Sequence, residues 1–221
     1  MFAKKRTLLI ILIPVAIFIL VSLQIIPKPE TANEIVPTAG ITNEYEEELV
    51  FWEKDRPLTW DDFKAIPDGE SFEGALTNVN FSYNWSRLLN TSLPCSYQIN
   101  WAEASVHVNK SQSWVREPYK NDTYVLEHEQ RHFDIGEIHV REFNKKFANE
   151  LLNKPFPCPD VPAESIVNSI DNEANALLKK IFNDISILLL KMNEDYETQT
   201  VHGTNYQKQQ EWNNKIDKLL G

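Results

Sequence analysis

The chain predicts an α+β domain in which strands come first and helices last. Three observations carry that expectation. Apolar residues alternate over 75–83 and again over 97–108, the period of half-buried strands. From Asn121 onward the apolar spacing is almost wholly helical. The stretch from 49 to 221, roughly 170 residues, suits one domain around one core.

In the first strand region the apolar residues are Leu76, Val79, Phe81 and Tyr83. In the second they are Tyr97, Ile99 and Trp101, then Val106 and Val108. Residues 114–119 read as a turn before the first helix. That helix covers 121–153 without a proline, and Asp122 or Thr123 is its cap. A second helix starts near Pro162 and carries Ile166, Ile170, Leu177, Ile181, Ile185 and Leu188. Its spacing drifts from strict heptads, so the stripe reads as core packing rather than a coiled-coil seam. The third helix covers 206–220, with Trp212, Ile216 and Leu219 inward. Residues 196–203 are expected between the second and third helical segments.

The first helix holds His128-Glu129-Gln130-Arg131-His132, an H-E-x-x-H pattern. Residues four apart on a helix share a face, about 5–6 Å apart at Cβ. Two imidazoles so placed are able to bind one Zn²⁺, and the adjacent Glu129 is placed to act as a general base on a nucleophilic water. Val140, Phe143 and Phe147 project within about 80° of His132, so the histidine face points inward. A metal-bearing helix after a strand region fits a zincin-like domain. The plainer reading is two histidines and a carboxylate on a half-buried helix.

A zinc site needs a third protein ligand. Glu137 and Asp134 lie nearby in sequence but point away from His132, Glu137 by about 140°. His139 points the right way but stands about 10 Å further along the helix. Gly136 and His139 each fall one residue too late for the metzincin pattern. Glu173, on the second helix, would complete a His₂Glu set of the gluzincin type. His202, followed by Gly203, is expected on a loop able to approach a metal. The plainer readings are a solvated carboxylate for Glu173 and an exposed loop histidine for His202.

The run from His128 to Ile135 resembles the H-E-Q-x-H-F-D-I signature of a bacterial family of exported zinc-dependent proteases, domain of unknown function 922. Arg56-Pro57-Leu58-Thr59-Trp60-Asp61-Asp62-Phe63 with Pro67 is similar to that family's opening element. Ser113-Trp114-Val115 resembles its S-W-V. Residues 196–203, with Gln209 and Trp212, look like its closing elements. The resemblance covers residues 50 to 220 or so and implies a zinc site. It aligns the family's closing histidine with His202, which makes His202 the first choice for third ligand. Glu197 stands where the family often shows Asp.

The N-terminus implies a membrane address. Lys4, Lys5 and Arg6 precede a nearly uninterrupted apolar run over 8–26, close to the length needed for a ~30 Å hydrocarbon core. The basic segment 1–7 is expected in the cytoplasm, and the rest outside, periplasmic or extracellular. A cleaved signal peptide is the rival, but the run is long and no small-x-small site follows it. Residues 27–48, with Pro27, Pro29, Pro37 and several Glu, read as a linker to the domain at 49–221. The net charge of −10 argues against a nucleic-acid partner. Cys95 and Cys158 each adjoin proline and are expected to form a disulfide in an oxidising compartment.

The expected function is therefore a membrane-anchored zinc hydrolase, most directly a metallopeptidase acting on a peptide or protein of the cell envelope. One Zn²⁺ would be held by His128, His132 and His202, with Glu129 as base. Tyr196 or His107 would steady the oxyanion. The rival from another class is a non-catalytic zinc-binding envelope adaptor, in which a fourth protein ligand such as His139, Glu173 or His107 closes the site. A third reading is a zinc hydrolase acting on other bonds, such as cell-wall amides.

Overall fold

The computed structural model of this chain describes residues 48–71 and 73–221. The expected cytoplasmic segment, membrane anchor and nearly all of the linker lie outside the described residues. Among the described residues, no helix is long and apolar enough to cross a membrane.

Five strands come first and three helices follow, with one two-residue strand between the first and second helices. The strands are β1 (Leu49–Phe51), β2 (Ala75–Leu76), β3 (Val79–Asn90), β4 (Ser96–Asn109), β5 (Trp114–Val115) and β6 (Phe156–Pro157). β4 is the centre of the main antiparallel sheet. β3 pairs along one edge, while β1 and β6 pair at opposite ends of the other. β2 and β5 form a separate two-stranded ribbon.

Two strand expectations change. The first strand region breaks after Leu76 and resumes at Val79, because β2 leaves to pair with β5. Residues 114–119 begin with that strand β5, and are therefore more than a turn. The apolar phase of β4 also switches within the strand: Tyr97 and Ile99 face the core, then Ala102, Ala104, Val106 and Val108. A bulge explains it. Ser86 pairs with Trp101 and Arg87 with Ile99, so Asn100 is the extra residue and Trp101 turns outward.

The helices are α1 (Thr123–Glu150), α2 (Ile166–Thr200) and α3 (Tyr206–Leu220). Asp122 caps α1, its side chain accepting from the amides of Tyr124 and Val125. α1 runs on unbroken through Gly136, whose role is close approach: a Cβ there would meet Val106 Cγ2 at 2.6 Å. The helix thus lies directly on the sheet. Between them sit Phe81, Phe143 and Phe182, with Phe81 stacked on Phe182 at 4.6 Å between centroids.

α2 is longer than the aliphatic stripe indicated. Its buried face is Ile170, Ala174, Leu178, Ile181, Phe182, Ile185 and Leu189, so Leu188 is exposed. Leu219 of α3 is likewise exposed, whereas Trp212 and Ile216 are buried. Residues 196–200 close α2 rather than belonging to a loop. Cys95 and Cys158 are bonded, tying the start of β4 to the end of β6. With a sequence separation of 63, the crosslink stabilises by about 4 kcal/mol in the chain-entropy model.

Candidate metal centre

Two helices build the site. α1 contributes His128, Glu129 and His132, and the last turns of α2 contribute Asn193, Tyr196 and Glu197. His128, His132 and Glu197 each bring a ligand atom to one place, with these atoms within 4.8 Å of one another. Glu197 Oε1 lies 3.4 Å from His128 Nε2 and 2.6 Å from His132 Nε2. The two rings stand nearly perpendicular, their centroids 5.0 Å apart.

The outer nitrogens are held from behind. Asn193 Nδ2 donates to the Leu189 carbonyl, which fixes its amide and leaves Oδ1 to accept from His132 Nδ1 at 2.8 Å. His128 Nδ1 lies 2.9 Å from both Gln209 Oε1 and the Tyr196 hydroxyl. Gln209 Nε2 donates to that hydroxyl and to Asn213 Oδ1, so Gln209 Oε1 is left as the acceptor for His128. With Nδ1 of each ring engaged from behind, both Nε2 atoms are aimed at Glu197. Outer partners of this kind set the tautomer and rotation of metal-binding histidines.

The donor set fits a divalent ion. Ligands about 2.0–2.1 Å from a tetrahedral zinc stand roughly 3.3 Å apart; the His128–Glu197 spacing of 3.4 Å is close to that, and the His132–Glu197 contact of 2.6 Å is a hydrogen-bond distance that has to open to admit an ion. Glu197 Oε2 is buried and faces His202 Nδ1 at 2.7 Å.

The same groups are strongly coupled electrostatically. Burial works to lower the pKa of His132, but the neighbouring Glu197 and Glu129 carboxylates and the Asn193 contact lift it to about 9. Burial would raise Glu197, yet the His132 charge and contacts from three histidines hold it far below the carboxylate range. Glu73 is held above its usual value by burial, then by the charges of Glu197 and Glu129. Negative charge thus accumulates around the two histidines.

Glu129 is buried, and its Oε2 accepts from the Thr77 hydroxyl at 2.6 Å. His202 sits beside Glu197 rather than among the grouped ligand atoms, with 46% of its side chain exposed. Glu173 accepts from the Tyr97 hydroxyl and Glu137 pairs with Arg141, so neither joins the group. Burial pushes the Tyr196 phenol far up, and its hydroxyl is engaged with His128 and Gln209 behind the site rather than facing it. His107 stands on β4 with its ring against Phe51, and His139 Nδ1 is bonded to the Ile135 carbonyl.

No family model, curated protein or solved structure matches this chain. The site therefore has to be judged by its own chemistry. Sequence reasoning did not assign Glu197 or Asn193. Their four-residue spacing, continuing the buried stripe of Ile185 and Leu189, is the signal that would have found them.

Proposed function

We propose that this chain is a zinc-dependent hydrolase, most directly a metallopeptidase, with His128, His132 and Glu197 as its metal ligands. The observation that carries the reading is the convergence of both histidine Nε2 atoms on Glu197 from a second helix, with Glu129 adjoining His128. Two imidazoles and one carboxylate form a catalytic type of zinc set, which leaves a coordination position open. The strand-then-helix order supports a zincin-like arrangement. The sequence further supports a domain held outside the membrane by residues 8–26 and acting on peptides or proteins of the envelope.

A bound zinc supplies positive charge that acidifies a water and polarises a carbonyl. The chain's own residues do the rest. Asn193, Gln209 and Tyr196 hold the imidazoles in register. Glu129 takes a proton from the attacking water and delivers it to the leaving amine. Thr77 faces Glu129 from the strand side.

The test compares the zinc-loaded full chain with Glu129→Gln on a quenched-fluorescent peptide library. The variant is expected to keep zinc and lose at least about 100-fold in turnover. Equal cleavage by both would remove Glu129 as the base. A parent that binds zinc but cleaves nothing would favour the adaptor reading.

A further inference from the structure

We infer that Thr77 is a positioning residue for Glu129, a role that rests on the hydrolase reading above. Thr77 occupies the two-residue gap between β2 and β3, where the chain passes from the small ribbon to the main sheet. Its hydroxyl donates to Glu129 Oε2 at 2.6 Å. A donor on that oxygen fixes the carboxylate's rotation and leaves Oε1 as the basic oxygen.

The backbone around Thr77 is locked without help from its side chain. The Asn78 amide donates to Ser113 Oγ at 2.9 Å, and Ser113 Oγ donates to the Asn109 carbonyl at 2.8 Å. The Asn109 amide in turn donates to the Asn78 carbonyl at 3.0 Å. Ser113 and Asn78 are buried. On the other side, Ala75 and Leu76 are paired with Val115 and Trp114. The Ser113-Trp114-Val115 motif thus has a physical purpose. Ser113 pins the far end of the gap, Trp114 and Val115 pin the near end, and the Thr77 hydroxyl is aimed at α1.

This arrangement separates positioning from folding. Valine has nearly the shape of threonine but lacks the donor, and the loop it would occupy is held by other residues. Thr77→Val therefore keeps the fold and the zinc while freeing the Glu129 carboxylate.

Two measurements on the full chain test the role. On the zinc-loaded enzyme with a quenched-fluorescent peptide, Thr77→Val lowers kcat about 10- to 100-fold with KM nearly unchanged. Thr77→Ser, which restores the donor, recovers most of that loss. In the metal-free chain, a double-mutant cycle of Thr77→Val and Glu129→Ala gives a coupling of about tenfold or more in the unfolding equilibrium constant. If the parent is active and Thr77→Val matches it, the positioning role is wrong while the hydrolase reading stands. A kcat loss that serine fails to recover also overturns it, as does coupling within about twofold. A parent without turnover overturns the hydrolase reading and this role with it.

Discussion

Asn193 and Glu197 stand one turn apart on the same face of α2, and both end on His132. Asn193 Oδ1 lies 2.8 Å from Nδ1, and Glu197 Oε1 lies 2.6 Å from Nε2. One helix thereby supplies the orienting partner and the facing carboxylate for one ring. Asn193→Ala is expected to weaken zinc binding about 10- to 100-fold without abolishing it. Competition with a chromophoric chelator reads this directly. An unchanged affinity would show that Asn193 orients nothing.

The backbone after α2 is strained beside the site. Val201, His202 and Gly203 all have positive φ, at 52°, 52° and 74°. Such conformations cost about 1–3 kcal/mol each in a non-glycine residue. A Cβ on Gly203 would also lie 3.1 Å from His128 Nδ1. Gly203→Ala is expected to destabilise the fold by about 1–2 kcal/mol and to weaken zinc binding by disturbing His128. Urea unfolding and chelator competition measure the two effects, and a neutral result in both would contradict the account.

Asp62 sets a pH dependence away from the candidate metal centre. It is buried, and burial works to raise its pKa. The Arg56 guanidinium, the Thr59 amide and Thr59 hydroxyl outweigh burial and hold it below the usual 3.8. A carboxyl lowered on folding adds stability that is present above its unfolded pKa and lost as pH falls through the folded value. Asp62→Asn should therefore cost about 2–3 kcal/mol at neutral pH. The gap from the parent should narrow as pH drops below 3.8. Denaturant midpoints taken at neutral and acid pH check this; a gap that stays constant would be inconsistent with it.

The pair on α1 was legible because H-E-x-x-H is local: four residues on a helix fix both rings relative to one another. α3 and the cap on Asp122 were legible for the same reason. The bulge at Ser86 was not, since it is a property of how β3 and β4 pair. Glu197 was hidden by a different cause. Beyond Leu189 the inward positions of α2 are Asn193, Tyr196 and Thr200, at helical spacing but without aliphatic side chains. Hydrophobic periodicity fades there because the helix is facing a polar site instead of a core, so the stretch reads as a loop. His202, next to a glycine and at the end of a resembling motif, then attracted the ligand role. His202 Nδ1 lies 2.7 Å from Glu197 Oε2.

The most direct measurement is zinc content of the purified full chain beside Glu197→Gln and His202→Ala. About one zinc per chain is expected in the parent and in His202→Ala, with most of it lost in Glu197→Gln. Zinc retained in Glu197→Gln and lost in His202→Ala would contradict the ligand set, and a parent that binds no zinc would contradict the metal centre itself.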